Sequence, residues 1–461
     1  MVLLPPTGGE SARSRIAWRL LPFLFLLYVA NFLDRTSIAY ATLGMEGDLG
    51  LSDSVFGTAS GIFFLGYLGL QIPGALLVER WSARLLLAIT LITWGGLTAL
   101  TGFVRTPPEL YGARFLLGAA EAGFFPGVIV YLSHWFIYRD RAKAVALFMA
   151  AVPVASILGG PLAGAILGVR WLGIPGWRWL FFLEGIPAVL LGIATLFVLP
   201  DRPEEARWLR ADQRDWLAAR LAEERHAKAQ AERMTAWQAL RQPSVVLLTV
   251  GLFFCYSGGY AFWFWMPTFL QRTTGWTDVQ RIGWIGAIPF VAGLIGMLLV
   301  GWNSDRTHER RWHFAIPQLT AALALGAWFL VPHSDVWLIV VFALIGFGTT
   351  AYLPAFWSLP SSFLTSSAAA ATIGFINCIA SIGGFVGPKV VGDLSQATGS
   401  FSTPFLFMIA CWAIAAVVVL FLPRRLERIR EGRPENSDEQ EHDGHEHEKD
   451  DKGVAHDVAR A

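Results

Sequence analysis

One charged ten-residue pattern occurs twice in the chain, as ALLVERWSAR at 75–84 and as GWNSDRTHER at 301–310. Each copy reads small residue, three others, acid, arginine, three others, arginine, and each lies between two long apolar segments. Two copies at matching places indicate that the chain consists of two related halves. In such turns an acid and arginines can cap helix ends and hold neighbouring helices. We predict this latch role for Glu79, Arg80, Arg84, Asp305, Arg306 and Arg310.

The apolar segments are long enough to cross a lipid bilayer, which a helix of about 20 apolar residues does. Such segments lie near 19–43, 54–78, 84–104, 108–136, 142–168, 177–199, 244–271, 280–302, 313–331, 336–358, 365–392 and 402–422. The sequence therefore predicts an all-α integral membrane protein with about twelve transmembrane helices. The chain is 54% hydrophobic and 15% charged, with a mean hydropathy of +0.49, whereas soluble domains carry about 25% charged residues. This composition excludes an ordinary soluble enzyme, a nucleic-acid-binding protein and a disordered protein.

About half of the charged residues lie in two segments, 201–242 and 423–461, and the first of these separates six predicted spans from six. Lys and Arg favour the cytoplasmic side of membrane proteins. The loops predicted on one side are rich in them, whereas the first loop on the other side carries only acids, despite the exceptions Arg170, Arg178, Arg272 and Arg281. Both termini should therefore be cytoplasmic.

The predicted organisation is a cytoplasmic N-terminus (1–18), a six-helix bundle (19–200), a cytoplasmic linker (201–243), a second six-helix bundle (244–422) and a charged, disordered cytoplasmic tail (423–461). The linker is expected to form an amphipathic helix on the membrane surface, with contacts from Trp208, Trp216 and Leu217. The tail contains a His/Glu-rich segment, 441–447. It is interpreted as a solvated acidic tail, with weak metal binding as the alternative.

More specific motifs lie in the first half: NFLDRTSI at 31–38, RFLLGAAEAGFFPG at 114–127, GWRWLFFLEG at 176–185 and LPDRP at 199–203. Together with the repeated turns, these motifs resemble those of the major facilitator superfamily, and within it the anion:cation symporter family. The resemblance covers nearly the whole chain except the tail, although Ala75 and Ser82 replace glycines of the superfamily pattern. It implies the major facilitator fold of two six-helix bundles and a substrate site at the midplane between them.

Four charged residues stand out inside the predicted spans: Asp34, Arg35, Arg114 and Glu121. A charge within a bilayer is costly and is a functional hypothesis by default. At 1.5 Å per residue, Arg35 and Arg114 should lie at similar depth, with Glu121 about two turns deeper on the face of Arg114. A guanidinium stays charged and its planar fork matches a carboxylate, whereas desolvation favours the neutral form of a carboxyl group.

The two arginines are therefore candidates for substrate binding, and Asp34 and Glu121 are candidates for proton coupling. The family resemblance implies the same roles at these positions. It also implies substrate contacts for Tyr67 in span two and Asn377 in span eleven. The alternatives stay open: an ion-pair network that holds spans one and four together, ordinary packing of Tyr67, and a helix–helix hydrogen bond for Asn377.

The first hypothesis for function is a secondary active transporter that imports a small organic anion, a carboxylate or sugar acid, with protons by alternating access. The alternative is a drug–proton antiporter, although a hydrophobic cation would prefer a cavity without two arginines. A membrane enzyme or a transporter-like receptor is a third reading. The sequence shows no catalytic motif, no metal-ligand spacing and no soluble segment large enough for signalling.

No enzyme activity, cofactor or metal is predicted, and the coupling ion is expected to be H⁺, with Na⁺ as the alternative. The expected partners are the organic anion, the proton and the lipid bilayer, without nucleic acid, and the protein is expected to be a monomer. The expected location is the plasma membrane, or the inner membrane if the source is a Gram-negative bacterium.

Overall fold

The structure is a computed structural model that describes residues 8–80, 82–230, 240–330, 334–360 and 366–423. The predicted tail therefore lies outside the described residues except for its first residue. The helices up to the linker are α1 (Gly8–Leu49), α2 (Asp53–Arg80), α3 (Ala83–Thr101), α4 (Pro107–Glu121), α5 (Phe124–Trp135), α6 (Tyr138–Met149), α7 (Ala151–Leu167), α8 (Gly176–Val198) and α9 (Ala211–Gln230). The helices after it are α10 (Pro243–Thr274), α11 (Val279–Thr307), α12 (Arg311–Ala327), α13 (Asp335–Thr350), α14 (Leu353–Ser358), α15 (Ser366–Thr398) and α16 (Ser402–Leu420).

Eleven stretches of the described residues are long and apolar enough to cross a membrane, compared with about twelve predicted. The remaining predicted span, 313–331, corresponds to α12, which has 17 residues. At 1.5 Å per residue this helix is about 26 Å long, somewhat less than the roughly 30 Å of a bilayer core. The prediction of an all-α, multi-pass membrane protein is confirmed.

Three predicted spans are interrupted rather than continuous. Short breaks separate α4 from α5, α6 from α7 and α13 from α14. In each case the second helix has a proline among its first three residues, namely Pro126, Pro153 and Pro354. Proline lacks an N–H and its ring clashes with the carbonyl four residues earlier, so it favours a break there, although Pro187 and Pro388 lie inside continuous helices. One consequence is that Glu121 is the last residue of α4.

Helices of the same half pack side by side, α3 on α8 and α2 on α4 in the first half, and α12 on α16 in the second. Between the halves, α2 runs along α15 and α7 along α11. The second contact depends on glycine, because a Cβ added to Gly160 of α7 would lie 2.5 Å from the carbonyl oxygen of Gly283 in α11. This close approach at Gly160 joins the two halves.

The two halves are also joined by polar contacts at the end of the molecule where α2 begins and α15 ends, which we call the far end. Arg272 at the end of α10 pairs with Asp53 at 2.7 Å and with Glu46 at 3.1 Å. Ser395 of α15 donates a hydrogen bond of 2.6 Å to Asp53, and Ser54 donates one of 2.5 Å to Asp393. These contacts explain why Arg272 departs from the charge asymmetry of the loops, because acids of the other half neutralise it.

The linker helix α9 packs on the opposite end of the first half, which we call the linker end. Gln213 donates a hydrogen bond of 2.7 Å to Ser11. Leu217 is buried, Trp216 packs against the same core, and the ring of Trp208 stacks on Trp135 with centroids 5.8 Å apart. The expectation of a membrane-surface contact is therefore wrong for Leu217, whereas for the half-buried Trp208 and Trp216 it stays a prediction. All three side chains pack on the first half.

Candidate functional site

The centre of the first half contains an ion pair between Arg35 of α1 and Glu121 at the end of α4. The Arg35 side chain is 15% exposed and that of Glu121 only 1%. One carboxylate oxygen of Glu121, Oε1, accepts the hydrogen bond from Arg35. The other, Oε2, is buried and has no hydrogen-bond partner among the described residues. The pair therefore places two opposite charges in a region of low dielectric with one acceptor still unused.

Arg114 of α4 is fully buried, and within the described residues none of its three guanidinium nitrogens has a hydrogen-bond partner. Its guanidinium carbon lies 5.0 Å from the centre of the Phe63 ring, and that of Arg35 lies 5.3 Å from the same ring. Gly118 allows this arrangement, because a Cβ there would lie 2.0 Å from the carbonyl oxygen of Phe63. Buried donors without acceptors are costly, so Arg114 is suited to bind an anion.

Asp34 precedes Arg35 on α1 but faces a different neighbour, because successive helical residues point about 100° apart. Its carboxylate is buried and accepts a hydrogen bond of 2.9 Å from the indole nitrogen of Trp94 in α3. The second oxygen, Oδ1, is without a partner in the described part of the chain. Charge interactions connect Asp34 with Arg114 and Glu121. The structure thus brings all four predicted intramembrane charges into one cluster.

The second half meets this cluster with neutral side chains. Tyr67 of α2 lies beside Arg35, whose guanidinium carbon is 5.3 Å from its ring centre. The ring of Phe64, also in α2, contacts Tyr260 of α10 at 4.5 Å between centroids. Tyr260 contacts Tyr256, which donates a hydrogen bond of 3.2 Å to Asn377 of α15. Tyr67 contacts Phe63, and Phe63 contacts Phe64, so a continuous row of side chains leads from Tyr67 in the first half to Asn377 in the second.

The second copy of the repeated turn forms an internal ion pair. Arg310 binds Asp305 at 2.6 Å and also donates a hydrogen bond of 2.8 Å to Ser304. Arg306 lies over the ring of Trp302 at 5.6 Å. These contacts stabilise the turn between α11 and α12, and the role of the turn in conformational change remains a prediction.

The first copy of the turn reaches the segment after α8. The backbone N–H of Arg84 donates a hydrogen bond of 3.2 Å to Asp201, and its guanidinium lies 3.6 Å from Glu205. Ser82, which stands where the superfamily pattern has glycine, caps α3 by accepting a hydrogen bond of 3.0 Å from the N–H of Leu85. Two predicted latch residues have side chains outside the described part of the chain, Glu79 and Arg80.

Sequence reasoning missed a fifth charged residue in the first half, Glu184 of α8. Ser37 of α1 makes a hydrogen bond to its Oε1 atom, and its Oε2 atom is buried. Glu184 lies within the predicted span 177–199, so the rule that selected the other four residues would have found it too. It was read only as part of the GWRWLFFLEG motif.

Comparison with known proteins identifies the family. The sequence profile described as the Major Facilitator Superfamily matches residues 24–388. A protein of Agrobacterium vitis named as a tartrate transporter is 40% identical over 412 residues, which cover 89% of this chain and 94% of that protein. The quinolone resistance transporter of Acinetobacter baumannii is 34% identical over 416 residues, covering 90% of this chain and 95% of that protein.

A solved structure has the same fold. The crystal structure of a bacterial homologue of the human lysosomal transporter Spinster matches with a TM-score of 0.70 and 20% identity, covering 91% of this chain and 96% of that one. Relatives and fold are those of transporters, which confirms the prediction that the protein is not an enzyme. The chain belongs to the Major Facilitator Superfamily.

Proposed function

We propose that the protein moves a small organic anion across the plasma membrane together with protons, by alternating access. The observation that carries this proposal is Arg114, a buried guanidinium whose donors lack acceptors in the described residues, beside the ion pair of Arg35 and Glu121. A carboxylate of the substrate would accept two parallel hydrogen bonds from Arg114. The relative named as a tartrate transporter supports an organic acid as the substrate class.

Proton coupling follows from competition for the arginines. Glu121 is paired with Arg35 in this structure. A substrate anion that binds Arg35 weakens this pairing, and an unpaired carboxylate in a low-dielectric site favours its neutral, protonated form. Binding of the anion therefore promotes uptake of a proton, and the positive charge of the proton balances the negative charge of the anion. The same competition applies to Asp34, because the substrate would also compete for Arg114, with which Asp34 interacts.

Alternating access requires the contacts between the halves to break at one end and form at the other. In this structure Arg272, Asp53 and Glu46 join the halves at the far end. If the loop charges orient the protein as predicted, the linker end is cytoplasmic and the far end faces outward. Opening to the outside then requires these ion pairs to separate, together with the glycine contact between α7 and α11.

The proposal is tested in proteoliposomes that contain the purified protein and a pH-sensitive dye. A panel of tartrate, a six-carbon sugar diacid and a pyridine carboxylate is supplied outside, and uptake and internal pH are recorded together. We expect one class of anion to enter with acidification of the lumen, and uptake to fall when a protonophore collapses the pH gradient. Uptake that continues without acidification, or that requires Na⁺, would refute proton symport.

Drug export is the second candidate, and the similarity to the quinolone resistance transporter favours it. The buried arginines argue for an anionic group on any cargo, because a hydrophobic cation gains nothing from Arg114. The same liposomes discriminate the two functions. Exchange of a fluorescent cationic drug for protons, with no uptake of any carboxylate in the panel, would replace organic-anion symport by drug antiport.

A further inference from the structure

Glu184 is a half-buried acid outside the cluster of Arg35, Arg114, Asp34 and Glu121, and its carboxylate oxygen Oε2 is buried. It lies in α8, and its neighbours Leu183 and Ile186 are exposed on the outer surface of the bundle. Its own side chain turns towards α1, where Oε1 contacts the hydroxyl of Ser37. Within the described residues no cation pairs with it, and Oε2 has no hydrogen-bond partner.

The two contacts of the Ser37 hydroxyl are satisfied at the same time only if Glu184 carries a proton. The Ser37 hydroxyl oxygen lies 2.7 Å from the carbonyl oxygen of Leu33 and also within hydrogen-bonding distance of Glu184 Oε1. A hydroxyl has a single hydrogen to donate, and a carbonyl oxygen can only accept. When Ser37 donates to Leu33, as helical serines commonly do, the hydrogen in the contact with Glu184 must come from Glu184. Burial without a cation favours the same neutral form.

The charged residues nearest to Glu184 on the neighbouring helices belong to α1. The helices packed against α8 are α1, α3 and α7. The sequence of α7 has no ionisable residue, and in α3 the one charged residue is Arg84 at the linker end. In α1 the charged neighbours are Asp34 and Arg35, and Asp34 is the one that interacts with Glu184. Arg178, on α8 itself, donates a hydrogen bond of 2.7 Å to the carbonyl oxygen of Gly102.

Ser37 follows Asp34 by three residues, so the two lie about one turn apart on α1. Asp34 Oδ2 is held by Trp94, while Oδ1 is a buried acceptor with no partner in the described chain. The Ser37 hydroxyl therefore contacts Glu184 and lies one helical turn from Asp34, which has a buried acceptor. A hydroxyl that reaches two carboxyl groups in turn can accept a proton from one and release its own to the other.

We propose that Glu184 is a third proton-exchanging group of the transport cycle, which stores a proton and passes it to Asp34 through the Ser37 hydroxyl. In this step the Ser37 hydroxyl first turns its hydrogen from the Leu33 carbonyl oxygen towards Asp34. The O–H bond of Glu184 then breaks as Ser37 Oγ gains that proton, and the original Ser37 proton forms a new O–H bond at Asp34 Oδ1. The net change is one proton moved from Glu184 to Asp34. Glu184 acts through Asp34 and does not touch the substrate, and this inference rests on the proposed proton symport.

The first test needs no substrate. Infrared spectra of the purified protein in H₂O and D₂O report the carbonyl stretch of protonated carboxyl groups. Glu184→Gln should remove one such band, because the amide still donates to Ser37 and preserves the packing. Glu204→Gln, on the exposed linker, is the matched control and should leave the spectrum unchanged. An unchanged spectrum in Glu184→Gln would show that Glu184 is ionised and would overturn the proposal.

The second test measures how strongly a pH gradient drives anion accumulation. It uses the carboxylate of the proteoliposome panel that gives the largest uptake. At a pH gradient of one unit, each coupled proton contributes about a factor of ten to accumulation. Glu184→Gln should therefore lower accumulation by about tenfold and flatten its pH profile, while anion exchange without a gradient stays near the wild-type rate. Ser37→Ala keeps both acids and the infrared band, and should slow coupled uptake without lowering exchange.

The results separate this inference from the proposed function. Wild-type accumulation and an unchanged pH profile in both variants would refute the role of Glu184 while proton symport stands. Loss of exchange and accumulation together in Glu184→Gln would make Glu184 structural and would also refute the inference. A wild-type protein that moves no protons with any anion would refute the proposed function, and the infrared band would then still report whether Glu184 is protonated.

Discussion

The middles of the two halves differ in charge although the halves share a repeated turn. The first half holds five acidic or basic side chains in the interior of its membrane spans, which are Asp34, Arg35, Arg114, Glu121 and Glu184. The second half presents neutral groups to the same region, Tyr256, Tyr260 and Asn377, whose contacts are ring packing and a neutral hydrogen bond. A charge in a membrane is costly unless other charges or dipoles compensate it. Because the acids and arginines of the first half lie close together, they can compensate each other's charge.

Removal of Arg114 should have the largest effect on substrate binding, because a buried guanidinium without acceptors in the described part of the chain is the main charge difference between the two halves. Arg114→Gln should weaken substrate binding by about 100-fold or more, since truncating a buried partner of a charged hydrogen bond costs about 2–5 kcal/mol. Equilibrium binding of the transported anion to detergent-solubilised protein measures the loss. Arg207→Gln on the exposed linker is the control. Wild-type affinity in Arg114→Gln would reassign this arginine to structure.

A second substitution of Arg114 should raise the stability of the protein, although substitution of this residue lowers the affinity for substrate. Because the guanidinium of Arg114 has no hydrogen-bond acceptor in the described residues, replacing it by the apolar Met removes the cost of burying unsatisfied donors, and we expect it to raise the melting temperature of the substrate-free protein. A lower melting temperature in Arg114→Met would indicate that the guanidinium is satisfied in the folded protein.

Glu121→Gln should lower anion accumulation driven by a pH gradient while it retains anion exchange. A neutral amide resembles the protonated acid and cannot release a proton, so accumulation driven by a one-unit pH gradient should fall by about tenfold. Anion exchange between equal pH values should be retained, because Arg114 still binds the anion. Both rates are measured in the same proteoliposomes. Equal loss of exchange and accumulation would contradict a coupling role for Glu121.

Asn377→Ala should have a smaller effect, because it removes a neutral group from the second half. A neutral hydrogen bond contributes about 1 kcal/mol, so the affinity for the anion should fall by about fivefold. Proton coupling should be unchanged, and the ratio of protons to anions measures it. A change in that ratio would show that the second half also takes part in coupling.

Arg272→Ala should give the smallest effect, because its ion pairs at the far end are partly exposed and such pairs contribute about 0–1 kcal/mol. We expect a shift of about two- to fivefold in the population of conformers open at the far end. Spin labels on the first turn of α2 and the last turn of α15 report it by electron–electron double resonance. The control is Arg281→Ala, whose pair with Asp335 at 2.6 Å lies within the second half. Equal shifts in both variants would deny Arg272 a role in closing the far end.

Local hydrophobicity was sufficient for the spans, because a helix in a bilayer must satisfy its backbone internally over a fixed length. It was not sufficient for their continuity, since the breaks before Pro126, Pro153 and Pro354 depend on neighbours that tolerate an interrupted helix. The four charges that the sequence singled out do lie together. Their roles remain predictions, and Glu184 was overlooked although the same rule applied to it.

The linker shows where sequence patterns mislead. Trp208 and Leu217 have the composition of a membrane-surface helix, yet they pack on the first half. An apolar face indicates that a helix needs a covering surface, and periodicity does not distinguish lipid from protein.

The sequence by itself determined that this is a membrane protein, that it has two related halves, and that it carries charged residues inside its membrane spans. The tertiary structure alone decided their partners: that Arg35 pairs with Glu121, that Arg114 is left without an acceptor among the described residues, and that Arg272 closes the far end. The physical reason is distance. Hydrophobicity acts along each segment, whereas ion pairs and hydrogen bonds depend on contacts of about 3 Å between residues that are far apart in the chain.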